Sequence, residues 1–225
     1  MGCRGLIAGR IPVLAVTGEP TAASAASFLP LLAASSSTDF QISVHEAGHC
    51  AGNILVGLPI GGTTIEFCNG YRGLTWSAAG GLQLDDGKST AELCAELAPL
   101  MPAIGDNRAG VSLELSWAAN EVIALLAGHA AERLFFTELL PDTEHDIVEA
   151  RALVSLICRS PESIDAYMAF AAIETAALMA GHRDLVLAIG TELAARRTLA
   201  EAEINKIITN HSCPATVLIQ PNAHR

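Results

Sequence analysis

Hydrophobic and polar positions alternate with helical spacing over most of the chain. From Asp39 to Val56, apolar or small residues recur every three to four positions, and a Gly-Leu-Pro sequence then ends the pattern. Two shorter runs, 63–67 and 73–76, have the composition of strands and flank the Asn69-Gly70 turn signal. Helical periodicity returns further along the chain in six segments, at about 89–98, 112–136, 143–158, 162–179, 183–195 and 199–209. The pattern predicts a mainly α-helical fold with a small β-ribbon beside the helix of residues 39–56.

The same pattern divides the chain into three segments. Residues 1–38 are small, apolar and turn-rich, and we expect them to be partly structured, with a short strand at 11–16 and a helix at 22–34. Residues 39–210 carry the periodic helices and are expected to form one domain, which a C-terminal tail, 211–225, follows. No uninterrupted apolar run reaches the roughly 18 to 20 residues of a membrane helix, so no membrane span is expected.

Composition narrows the classes of function. Alanine and leucine are abundant and aromatic residues make up only 4% of the chain, which favours packed helices over a β-sandwich. The formal net charge of -11 argues against nucleic-acid binding, because that function needs a basic surface to neutralise phosphates. None of the six cysteines forms a C-x-x-C pair, so neither a zinc finger nor a redox motif is predicted. We expect reduced thiols and a cytoplasmic location.

Candidate chemistry lies in the first predicted helix of the domain, where His45-Glu46-Ala47-Gly48-His49 has the pattern H-E-x-x-H. Histidines four positions apart lie on one face of a helix, about one turn from each other, so both imidazoles can reach one tetrahedral zinc ion. The glutamate between them points to the same side and is placed to act as a general base on a water molecule. The same pattern can occur by chance on an ordinary amphipathic helix, but this is rare in a chain of this length.

A catalytic zinc site needs a third protein ligand, and spacing alone does not select it. No histidine stands at the third position of the extended H-E-x-x-H-x-x-G-x-x-H motif, which disfavours a metzincin. The candidates are carboxylates and histidines of the later predicted helices: Glu121, which follows Asn120 as in thermolysin-like enzymes, Asp146, Glu149, His129 and His145.

Several short segments of the chain resemble, in sequence and in order, segments of the FtsH-like peptidases, the M41 family of zinc metallopeptidases. The most specific segment is the run Ser43-Val44-His45-Glu46-Ala47-Gly48-His49-Cys50. Weaker segments follow in the family's order over about residues 40–210: the strand pair 63–67 and 72–76, the helix segment Leu126-Ala127-Gly128-His129-Ala130-Ala131-Glu132, the segment Thr143-Glu144-His145-Asp146-Ile147-Val148-Glu149-Ala150, and the closing helices of 185–207. Two histidines depart from the family pattern, since His129 replaces an arginine and His145 an asparagine.

The resemblance implies a zinc ion bound by His45, His49 and Asp146, with Glu46 as general base. It also implies peptide-bond hydrolysis, in which a zinc-activated water is the nucleophile. The chain has no G-x-x-x-x-G-K-[ST] loop and hence no ATPase module, which in this family drives substrates into the peptidase. We therefore expect an ATP-independent zinc metalloendopeptidase that hydrolyses flexible peptides or unfolded protein segments. The alternative is a zinc-binding pseudo-peptidase that acts as a peptide-binding or assembly module without turnover.

Other roles stay open at the level of the sequence. The strand of Gly73, Leu74, Thr75 and Trp76 is expected either to bind an extended peptide at its edge or to be a structural ribbon that covers the motif helix. Glu132 is expected either to orient a ligand imidazole or to pair on a solvated face. A homo-oligomer or a separate partner subunit is compatible with the sequence, whereas a nucleic-acid partner is not expected.

Overall fold

The computed structural model describes residues 37–68, 71–78, 90–138, 140 and 144–211. Over these residues the chain is mainly α-helical, with one small antiparallel sheet of three strands. The helices, in chain order, are α1 (Ser37–Val56), α2 (Thr90–Leu97), α3 (Ser112–Phe135), α4 (Glu144–Ile157), α5 (Pro161–Gly181), α6 (Arg183–Arg196) and α7 (Glu201–His211). The strand predicted at 11–16, the helix predicted at 22–34 and residues 212–225 of the predicted tail lie outside the described residues.

The sheet confirms the predicted ribbon and adds a third strand to it. β1 (Gly62–Cys68) and β2 (Tyr71–Trp76) form an antiparallel hairpin, and β3 (Thr198–Ala200) pairs with the other edge of β1. The order β2-β1-β3 makes β2 an edge strand. The prediction of a helix from residue 199 is wrong at its start, because residues 198–200 are extended and pair with residues 62–64 before α7 begins.

The motif helix α1 lies at the centre of the fold. It packs most extensively against α3 and next against α6, and the β-hairpin also contacts it. Its Val44, Ala47 and Ala51 side chains are completely buried, in one apolar cluster with Ile189 and Leu193 of α6. A helix that is buried on several sides is a rigid support for side chains that must keep fixed positions.

A second apolar cluster sets the position of α4. Val122 of α3, Leu153 and Val154 of α4 and Ala171 of α5 are buried together in it. Helix α3 contributes residues to both clusters and contacts both α1 and α4. It therefore fixes the N-terminal turn of α4 relative to the motif helix.

Helices α1 and α3 cross at a separation that requires glycine on both sides. A Cβ atom built on Gly48 would lie 2.5 Å from the carbonyl oxygen of Ala127 and 2.8 Å from Cα of Gly128. A Cβ atom on Gly128 would lie 2.6 Å from Nε2 of His49. Real Cβ contacts essentially never fall below 3.0 Å, so a side chain at position 48 would push against the backbone of α3, and one at position 128 would displace a histidine ring. The two glycines thus let the backbone of α3 pass directly over the motif.

Two helices of the described residues are long and apolar enough, by length and composition alone, to cross a membrane. They are Ala109–Phe135 and Pro161–Gly181, which contain 18-residue windows with mean hydropathies of 1.2 and 1.3, respectively. Core helices of soluble proteins pass the same test, so this is a weak indication of a span. The expected absence of a membrane span stays a prediction.

Candidate metal centre

Three side chains from α1 and α4 converge at the glycine crossing. His45 and His49 project from successive turns of α1, and Asp146 projects from the first turn of α4. The two Nε2 atoms are 2.9 Å apart, and Asp146 Oδ2 lies 3.1 Å from Nε2 of His45 and 3.4 Å from Nε2 of His49. These residues form a group that could hold a metal ion. Spacing had left five candidates for the third ligand, and the fold brings Asp146 to the histidines.

The separations within the group are close to, and mostly a little shorter than, those between the ligand atoms of a tetrahedral metal ion such as zinc. Zinc bonds to nitrogen and oxygen are about 2.0–2.2 Å long, which places neighbouring ligand atoms of a tetrahedron roughly 3.3–3.6 Å apart. The three separations here run from 2.9 to 3.4 Å. Small movements of the histidine rings are therefore enough to admit the ion.

Hydrogen bonds on the far side of each ring determine which nitrogen faces the group. His45 Nδ1 lies 2.5 Å from Oε1 of Glu132, and His49 Nδ1 lies 2.9 Å from the carbonyl oxygen of Ala124. A carboxylate and a carbonyl only accept, so each Nδ1 must donate. In the neutral imidazoles both Nε2 atoms then carry lone pairs that face each other and the Asp146 carboxylate. Only a cation, either a metal ion or a proton, makes such an arrangement favourable.

Glu132 orients His45 from a completely buried position on α3. Its Oε2 accepts hydrogen bonds from the backbone N–H of Leu140 at 2.9 Å and from Nε2 of Gln41 at 3.2 Å. Burial opposes its charged form, but the hydrogen bonds from His45 and Leu140 outweigh burial and hold the pKa of Glu132 below its ordinary value. The solvated-face alternative for Glu132 is wrong, because this carboxylate is inside the protein and holds the imidazole of a candidate ligand, His45.

The charge of Asp146 is strongly coupled to the charges of the two histidines. Burial opposes ionisation of Asp146, yet the hydrogen bonds with His45 and His49 outweigh it and hold the pKa of Asp146 well below its ordinary value. Burial also opposes a charged His45, but the hydrogen bonds with Asp146 and Glu132 raise the pKa of His45 to about 10. Without a metal ion, the group therefore keeps a proton on His45 at neutral pH.

The affinity for zinc is expected to rise as the pH rises from about 6 to 8. Because the pKa of His45 is raised to about 10, its Nε2 is protonated over this range and the ion must displace that proton. Each unit of pH should then raise the apparent affinity by up to about tenfold. Competition with a chelator of known affinity measures this, and calorimetry in two buffers counts the protons released. A zinc affinity that does not change with pH would contradict the protonated state of His45.

Glu46 lies between the two histidines on α1 and is buried. Its Oε2 accepts a hydrogen bond from Oγ1 of Thr75 at 2.7 Å. Burial raises the pKa of Glu46, although the neighbouring His49 and His45 act against this. Gly73 has a φ of 99°, and a Cβ atom on it would lie 2.5 Å from Oε1 of Glu46. Strand β2 can pass this close to the carboxylate because residue 73 is glycine.

A cavity of about 720 Å³ adjoins the three candidate ligands and Glu46. Residues of α1, β2, α3 and α4 line it, including all four of the predicted substrate strand, Gly73, Leu74, Thr75 and Trp76. Strand β2 has no strand partner on the edge opposite β1 within the described residues. The assignment of these four residues to substrate binding stays a prediction, and their position at the cavity is compatible with it.

The other candidate ligands occupy different positions. Glu121, His145 and Glu149 line the cavity but do not belong to the group that could hold a metal ion. Nε2 of His145 lies 3.1 Å from Oε1 of Glu149, one helical turn away on α4. His129 belongs neither to the group nor to the residues that line the cavity. His145 is therefore a neighbour of the centre, and His129 is not a ligand in this arrangement.

Comparison of the chain with protein-family models and with curated proteins finds no match. The resemblance to the FtsH-like peptidases stays an interpretation of the sequence. Function is therefore inferred from the geometry and chemistry of the site itself.

Proposed function

We propose that this chain is a zinc metallopeptidase that hydrolyses peptide bonds in flexible peptides or unfolded protein segments without ATP. The observation that carries the proposal is the convergence of His45, His49 and Asp146 beside the buried carboxylate of Glu46, at a cavity. Three protein ligands of nitrogen and oxygen type are typical of catalytic zinc sites, which keep a fourth position for water or substrate. A site that is only structural has four protein ligands and no need for a base.

Zinc held by these three residues would polarise the scissile carbonyl and make a water molecule more acidic. Glu46 acts as the general base: it removes one proton from that water as the water oxygen bonds to the carbonyl carbon. It then delivers the same proton to the amide nitrogen as the carbon–nitrogen bond breaks. Burial supports this double role, because it raises the pKa of Glu46 above the ordinary value and makes its carboxyl group a better proton carrier near neutral pH.

The class of substrate is inferred from β2 and the cavity walls. An extended peptide can add, by main-chain hydrogen bonds, to the edge of β2 that has no strand partner among the described residues. This would lead its backbone past Gly73 and Glu46. Apolar side chains of Ile42, Leu74 and Trp76 stand along the cavity. Addition of a strand requires a segment without other structure, so flexible peptides and unfolded segments are the substrates that this geometry favours.

The test is cleavage of a reduced and carboxymethylated polypeptide by the zinc-loaded protein, without nucleotide. We expect fragments in mass spectrometry, loss of cleavage with a chelator, and recovery when zinc is returned. The same polypeptide with its disulfides intact is the matched substrate control and should resist cleavage. Lack of cleavage by protein that carries one zinc ion per chain would reject the proposal and favour a peptide-binding module without turnover.

A further inference from the structure

Two threonines on neighbouring strands connect Glu46 to the interior of the sheet. Thr63 of β1 and Thr75 of β2 are direct partners in the hairpin, and their Oγ1 atoms are 2.9 Å apart. Oγ1 of Thr75 lies 2.7 Å from Oε2 of Glu46 and 3.9 Å from Sγ of Cys50. Thr63 and Cys50 are completely buried. The proposed hydrolysis does not by itself require any of these three residues.

The directions of these hydrogen bonds follow from which groups have protons. An ionised carboxylate only accepts, so Thr75 must donate its single hydroxyl proton to Glu46. Oγ1 of Thr75 can then only accept from Thr63, so the hydroxyl of Thr63 must donate. Sγ of Cys50, at 3.9 Å from the same oxygen, is a further and weaker hydrogen-bonding neighbour of Thr75. Oγ1 of Thr75 also lies 3.4 Å from the backbone oxygen of Glu46, so both acceptors within reach of its proton belong to Glu46, and the carboxylate oxygen is the nearer one.

We infer that Thr75, oriented by Thr63, is a positioning residue that holds Oε2 of Glu46 and leaves Oε1 to take the proton. This inference rests on the proposed function. Because Oε2 already accepts from Thr75, the proton that leaves the water binds to Oε1. Oε1 is also the oxygen next to Gly73, where a Cβ atom would lie 2.5 Å from it, so glycine keeps a side chain away from this oxygen. The hairpin thus determines which of two chemically equal oxygens is the base.

A role limited to stability of the hairpin predicts different behaviour. The threonine pair would then tie β1 to β2, and its loss would lower the melting temperature without a separate effect on kcat. Valine at position 75 keeps the shape and the strand propensity of threonine but has no hydroxyl, whereas serine keeps the hydroxyl. The two variants therefore separate the hydrogen bond from the packing.

The experiment compares Thr75→Val, Thr75→Ser and Thr63→Val in zinc-loaded protein. We expect Thr75→Val to lower kcat about 10- to 100-fold, the effect of losing a hydrogen bond to a charged group, with KM and zinc content unchanged. Thr75→Ser should keep kcat within about threefold of the original protein, since its hydroxyl replaces the lost donor. Thr63→Val should fall between them, because Thr75 remains but is less well oriented. Equal kcat values for Thr75→Val and Thr75→Ser would overturn the inference.

A structural readout keeps this test independent of hydrolysis. In crystals, we expect the Glu46 side chain to occupy one rotamer in the original protein and in Thr75→Ser, and more than one in Thr75→Val. If the original protein does not cleave peptides, the proposed function fails, whereas the positioning role is still judged by these rotamers. A single, unchanged Glu46 rotamer in Thr75→Val would reject the positioning role whatever the activity.

Discussion

Replacing Glu46 with glutamine is expected to lower kcat for peptide hydrolysis about a thousandfold, the usual range for loss of a general base, and to leave zinc bound. Glutamine has nearly the same shape as glutamate, and its carbonyl oxygen can still accept the hydrogen bond from Thr75. Its amide, however, cannot take a proton from water at neutral pH. The candidate ligands His45, His49 and Asp146 are unchanged, so the affinity for zinc should be close to that of the original protein.

The measurement is steady-state hydrolysis of a fluorogenic peptide, together with the zinc content of each sample. Glu174→Gln is the matched control, because Glu174 is exposed on α5 and its substitution makes the same change in charge. The control should keep both kcat and zinc. Full activity of the Glu46→Gln protein would exclude Glu46 as the base, and loss of its zinc would show that Glu46 supports the ion directly.

Replacing Gly128 with alanine is expected to lower the affinity for zinc on the order of 100-fold, at the upper end of the range for residues that support metal ligands. The added Cβ would lie 2.6 Å from Nε2 of His49 and 2.8 Å from Cε1 of His45, so at least one ligand ring must move. Both rings are held behind by hydrogen bonds, to the carbonyl oxygen of Ala124 and to Glu132. Alanine has a higher helix propensity than glycine, which alone would stabilise α3 in the Gly128→Ala protein by about 1 kcal/mol. A loss of zinc binding can therefore not result from a weakened helix.

Gly181→Ala is the matched control for this substitution, because a Cβ atom at position 181 meets no other atom within 4 Å. Its zinc affinity should be unchanged. Competition with a chelator gives the affinities, and thermal unfolding of the metal-free proteins separates a local effect from general destabilisation. If Gly128→Ala bound zinc as tightly as the original protein, the close passage of α3 over the histidine rings would be contradicted.

The local part of the site could be predicted from the sequence. The helical period and the Gly-Leu-Pro end signal predicted the motif helix at 39–56, and the structure has it at Ser37–Val56. Two histidines four positions apart must lie on one face of any α-helix, so their convergence needs no information from the rest of the chain. The hairpin was predictable for the same reason, since a strong turn signal joins two strand-like runs.

The parts that depend on distant contacts could not be predicted from the pattern alone. Asp146 meets the histidines because α3 fixes α4 against α1, and no spacing rule encodes that packing. The partnership of Thr63 with Thr75 depends on the register of the hairpin, which one inserted residue would change. β3 has only three residues and lies between two helices, so its sequence has no strand period to detect.

The hydrogen bonds that hold the two histidine rings also decide whether metal binding would be needed for folding. In small domains whose ligands come together only around the ion, that free energy goes into folding, and a chelator unfolds the chain. In this protein Glu132 and the carbonyl of Ala124 already hold the rings, on helices whose apolar faces are buried. The candidate centre is therefore preorganised, and we expect the chain to keep its shape whether or not an ion is bound.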